Sequence, residues 1–100
     1  MDNETFELLQ KIKIRPEIFL GTQSIVRLSD FLGGYEYARY LKEGDAFYQS
    51  SFQKVFNDWT AHRFGVVDTL NWCSIILNRS TDEAAALELF FILLDEFVAN

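Results

Sequence analysis

Apolar residues recur through most of this 100-residue chain at the three- and four-residue intervals of a helix, and no stretch alternates with the period of two that marks a half-buried strand. Phe6, Leu8, Leu9 and Ile12 predict a first helix that stops before Arg15, because Pro16 turns its predecessor away from helical geometry. The next run, Pro16, Glu17, Ile18, Phe19 and Leu20, is short, apolar and closed by Gly21, and reads as an extended or turn segment rather than a helix. Ser24 can cap a longer helix whose face of Ile25, Leu28, Phe31, Leu32, Tyr35 and Ala38 reaches about Lys42. Gly33 and Gly34 lie inside it at roughly 1 kcal/mol each, which implies a kink or a close approach by another helix.

After a break at Gly44 and Asp45, the residues Tyr48, Phe52, Val55, Phe56 and Trp59 define one amphipathic helix that ends near Gly65, a residue suited to a left-handed C-cap. Asp68 stands at an N-cap position ahead of Leu70, Cys73, Ile76 and Leu77, which predict a helix to about Asn78. Ser80, Thr81, Asp82 and Glu83 spell a capping box, in which the serine hydroxyl and the Glu83 carboxylate satisfy opposite backbone amides. The helix it opens carries Ala84, Leu87, Phe90, Phe91, Leu94, Phe97 and Val98 on its main face, with Leu89, Ile92 and Leu93 nearly completing the circle, as expected of a central helix. With no internal repeat and no low-complexity linker, the pattern predicts an all-α fold, a single compact bundle of about five helices over residues 1–100.

Composition adds a surplus of rings. Ten Phe, four Tyr and two Trp are a heavy aromatic load for a chain of this length, and rings left on the outside are the usual anchors of a protein interface. Fifteen Asp and Glu against nine Lys and Arg give a net charge of −6, which repels a phosphate backbone and argues against nucleic acid as a partner. The same charge would steer a basic protein in, and it also keeps a small domain soluble. The longest apolar string, residues 89–94, falls far below the roughly 20 residues of a membrane helix, so no membrane partner is expected. The acidic, polar start is unlike a secretory signal, and the single Cys73 sits in an apolar run; both fit a cytoplasmic protein.

Candidate chemistry is sparse. His62 is the lone histidine, with Asp58 one helical turn away and no second His or Cys at metal-ligand spacing. Cys73 in its apolar setting reads as an inert thiol. The adjacent carboxylates Asp82 and Glu83, and Asp95 and Glu96, point in different directions on a helix and make no ready acid and base couple. No Gly-x-x-x-x-Gly-Lys pattern is present to hold a nucleotide. The expectation is no catalytic residue, no cofactor and no metal.

One surface is more informative. On the helix of residues 24–42, Val26, Asp30, Tyr37 and Leu41 fall opposite the apolar face, flanked by Tyr40, Glu36 and Glu43. Asp30, Glu36, Tyr37, Tyr40 and Glu43 are therefore the candidate partner-binding residues, provided that no other helix covers that side.

The string Ile-Lys-Ile-Arg-Pro-Glu-Ile-Phe-Leu-Gly ending at Gly21, followed by Ser24, Ile25, Leu28, Phe31, Leu32, Gly34 and Tyr35, resembles the N-terminal signature of small bacterial immunity proteins of polymorphic toxin and contact-dependent growth inhibition systems. Trp72 and the closing Glu88-Leu-Phe-Phe-x-Leu-Leu-Asp-Glu-Phe97 are similar as well. The resemblance implies a non-enzymatic inhibitor that binds a cognate toxin domain, a basic nuclease being the expected target. It implies that Arg15, Pro16 and Gly21 shape a turn with Tyr35 packed beneath it. Two other readings stand beside it: a homodimer that buries its surplus rings in its own interface, and a small enzyme using Asp58, His62 or the C-terminal carboxylates.

Overall fold

Side-chain caps decide where most of the helices begin. In a computed structural model of the chain, which describes residues 1–67 and 70–100, α1 (Asn3–Ile14) opens where the Asp2 carboxylate accepts from the Thr5 amide at 2.9 Å. Ser24 caps α3 (Ile25–Glu43) through the Arg27 amide, Asn71 caps α6 (Trp72–Leu77) through Ser74, and Asp82 caps α7 (Glu83–Ala99) through Ala85. Each of these oxygens satisfies one of the backbone donors that a helix start leaves unpaired.

Between them lie α2 (Pro16–Leu20), α4 (Asp45–Ser50) and α5 (Phe52–Phe64), so the described residues form seven helices and no strand rather than about five helices. The fold is all-α, a compact bundle. Two differences account for the extra elements. The segment after Arg15 is a helical turn and not extended: Pro16 occupies the first helical position, where its missing N–H is no loss. It ends at Gly21, whose φ of 79° suits glycine and where an added Cβ would come within 2.9 Å of Arg27 Nη1. The predicted helix around Tyr48 to Trp59 is split at Ser51, which is extended at ψ 149°, while the Ser50 hydroxyl bonds back to the carbonyls of Ala46 and Phe47 and finishes α4.

The capping box is displaced. Asp82, not Ser80, caps α7, since an ionised carboxylate complements the helix dipole better than a hydroxyl does. The Ser80 hydroxyl donates instead to the Ile76 carbonyl at 2.8 Å, and the Glu83 carboxylate accepts from the Ser24 hydroxyl, tying the start of α7 to the start of α3. Asp68, the predicted cap of the sixth helix, lies outside the described residues. Gly65 closes α5 in the left-handed conformation, as its position predicts. The two interior glycines also differ from expectation: α3 runs unbroken through Gly33 and Gly34, and a Cβ on either would meet nothing within 4 Å, so no helix approaches there.

The interior is built mainly from rings. Phe52 and Phe56 of α5, Trp72 of α6 and Phe90 of α7 are buried and form a connected ring cluster, with centroid separations from 4.9 Å for Phe52–Phe56 to 6.3 Å for Phe52–Phe90. Leu9 and Ile12 of α1 and Leu28 and Leu32 of α3 complete the core around the central α7. Turns at the edge follow the same logic, for Phe19 of α2 meets Phe31 of α3 edge-on at 6.1 Å. It is therefore Phe31, and not Tyr35, that packs against the turn after Arg15.

Candidate functional site

The C-terminal half of α3 and the short α4 meet at Gly44, and the sharp reversal leaves a groove of about 650 Å³ between them. Its walls are largely aromatic. Tyr37 and Tyr40 project from one side of α3, four and seven residues beyond Gly33, and Tyr48 comes from α4. Tyr40 stands 6.5 Å from Tyr37 and 6.3 Å from Tyr48, the latter pair edge to face. Tyr37 is 62% exposed, Tyr48 54% and Tyr40 37%, and none of the three hydroxyls has a hydrogen-bond partner among the described residues. Lys54 holds its ammonium 5.5 Å from the centre of the Tyr48 ring, a geometry in which the ring attracts a cation.

One carboxylate at the base of the groove is fixed. Glu36 accepts from the Gln53 amide N–H and from Gln53 Nε2, each at 3.2 Å, and Gln53 Oε1 accepts from the buried Trp72 indole at 3.0 Å. A polar chain thus runs from the ring core to the groove through one glutamine. Burial raises the pKa of Glu36 above the ordinary value, and the bonds from Gln53 only partly offset it. Asp45, at the start of α4, adds a second, exposed carboxylate to the rim.

Behind the groove, Arg39 clamps three elements. Its guanidinium grips Glu43 at 2.6 and 3.0 Å, reaches Asp2 at 2.6 Å, donates to the Tyr35 hydroxyl at 3.2 Å and lies over the Phe47 ring at 4.4 Å. Its pKa is raised, first by the bond to Glu43. Glu43 is correspondingly held below its ordinary value by that bond. In Asp2, burial pushes the other way, and the bonds from Thr5 and Arg39 outweigh it to lower the pKa. Tyr35 thus secures the N-terminus of α1 and lies beside Thr5 rather than under the Arg15 turn.

The five candidate residues are divided by this geometry. Tyr37, Tyr40 and Glu36 line the groove together. Asp30 is exposed on α3 but outside it, and Glu43 is committed to Arg39. On the side of α3 opposite the core, Val26, Tyr37 and Leu41 are exposed, while α4 packs against the C-terminal part of the helix and partly covers Glu36 and Tyr40. Sequence reasoning missed Asp45, Tyr48, Gln53 and Arg39; the Gly44-Asp45 break announced a reversal, but not that α4 would fold back along α3.

The remaining chemical candidates are not assembled. Cys73 is buried with its thiol 3.8 Å from the Ile25 carbonyl, and burial raises its pKa. Asp95 pairs with Lys13 and Glu96 with Arg63. Among the described residues, no group of three or more His, Cys, Asp or Glu side chains could hold a metal ion, and no helix is long and apolar enough to cross a membrane. Comparison of the chain with protein-family models, curated proteins and solved structures finds no match.

Proposed function

We propose that this chain is an inhibitor of the immunity-protein kind, which binds a basic toxin domain, a nuclease being the favoured target, on the face formed by α3 and α4. The observation that carries the reading is the exposed tyrosine groove with carboxylates at its base and rim, on a chain of net charge −6. Rigid amphipathic rings supply contact area at little entropic cost, and opposite charge speeds encounter. Self-association through the same face is less favourable, because a two-fold interface would bring two copies of one acidic face together. The proposed site of action is the cytoplasm.

The test is co-expression with the polypeptide encoded directly upstream, followed by calorimetry and by rescue of cells that express its C-terminal domain. The expected result is nanomolar one-to-one binding, on the order of 12 kcal/mol, with rescue. Absence of both overturns the reading, and a dimer by light scattering would put self-association in its place.

A further inference from the structure

Resting on that reading, we infer that the α3–α4 groove is an arginine pocket: a partner's arginine packs against the corner formed by Tyr40 and Tyr48, its guanidinium meets Glu36, and the partner's backbone crosses α3 at Gly33. Three features converge on this occupant. The first is the pairing of ring faces with fixed oxygen acceptors. Tyr40 and Tyr48 form a corner at 6.3 Å, and Tyr48 already attracts the ammonium of Lys54. Glu36 is oriented by two bonds from Gln53 and keeps further lone pairs for an incoming donor.

The second feature is the glycine at the groove. A glycine inside a helix costs stability, and nothing in this molecule needs one at Gly33, where a Cβ would meet open space. Gly33 lies on the same side of α3 as Glu36, Tyr37 and Tyr40 and lines the groove with them. The bare stretch of helix therefore admits a close backbone from outside, one turn from the carboxylate. The third is the spread of acceptors, since Glu36, Asp45 and the Gln49 side chain all border the cavity. A planar fork of five donors serves several acceptors at once and sheds water more readily than an ammonium does, which favours arginine over lysine.

The experiment titrates the full, isotope-labelled chain with end-blocked Gly-Gly-Xaa-Gly-Gly peptides in which Xaa is arginine, lysine or the neutral arginine isostere citrulline, observed by NMR. The arginine peptide is expected to saturate shifts at Gly33, Glu36, Tyr40 and Tyr48 with an affinity on the order of 1 mM, at least tenfold tighter than citrulline and at least twofold tighter than lysine. Glu36→Gln and Tyr48→Leu should each weaken it at least fivefold while the methyl resonances of the buried Leu9, Ile12 and Leu28 stay in place, and Glu88→Gln should leave it unchanged. Citrulline or lysine binding as well as arginine, shifts that map elsewhere, or retained affinity in both groove variants would overturn the pocket. Toxin binding persisting in that event would leave the inhibitor reading standing, so the two fail separately.

Discussion

Two groups of aromatic side chains lie on either side of Gln53, which bonds the core Trp72 and the groove's Glu36, yet one forms the core and the other faces water. Around Phe56 the rings are phenyl and indole, packed edge to face and stacked, and the one polar atom of Trp72 is satisfied by Gln53. The exposed rings of α3 and α4 are the phenols of Tyr37, Tyr40 and Tyr48, whose hydroxyls have no partner among the described residues. The fourth tyrosine explains the difference. Tyr35 is half-buried, and its hydroxyl is met by Arg39 and Thr5. A phenol enters the interior when a partner for its oxygen is built there, and remains at the surface otherwise.

The largest expected break in this contrast is Phe56→Ala. It removes a fully buried ring that touches five other rings, and should cost about 3 to 5 kcal/mol by urea denaturation, enough to leave a marginal fold. Next is Arg39→Met, which should cost about 1 to 2 kcal/mol, limited because the carboxylates around it are mostly in water. Its pH dependence has a definite sign. Asp2 and Glu43 have lowered folded pKa values, so their contribution is present above the ordinary carboxylate range and lost as pH falls through the lowered values. The gap between parent and variant should therefore be full at neutral pH and narrow in acid, leaving the part from Tyr35 and Phe47. Glu36 behaves oppositely in both proteins: its raised pKa makes its contribution largest in acid and smaller as pH rises through it.

Gly34→Ala should stabilise the chain by up to about 1 kcal/mol, because the added methyl meets nothing. A loss instead, in thermal unfolding, would mean that α3 needs the glycine for its own packing. Smallest is Tyr37→Ala, expected within about 0.5 kcal/mol of the parent in the same assay; a cost comparable to that of Phe56→Ala would erase the distinction between the two aromatic groups.

Much of this was legible in the pattern of apolar positions. The long helix from Ser24 and its core face of Ile25, Leu28 and Leu32 follow directly from helical spacing, and so does the central place of α7. Spacing alone did not reveal α2, because a five-residue apolar run looks the same extended or helical, nor the break at Ser51, which lies within an otherwise continuous periodicity. At the start of α7 the sequence pattern put the cap at Ser80, whereas Asp82 caps the helix and Glu83 is drawn to Ser24, 59 positions away in the chain. The candidate site was legible by half for the same reason. Tyr37, Tyr40 and Glu36 share one helix and appear in its periodicity, whereas Tyr48, Asp45 and Gln53 join them only through tertiary folding.

The bond from Trp72 to Gln53 gives the molecule an optical reporter. Because Gln53 holds the indole N–H at one end and Glu36 at the other, any ligand that draws on the Glu36 carboxylate changes the polarity felt by a ring buried in the core. With Trp59 replaced by Phe, emission from Trp72 alone would read the state of the groove from inside the protein, without a label on the surface that a partner must touch.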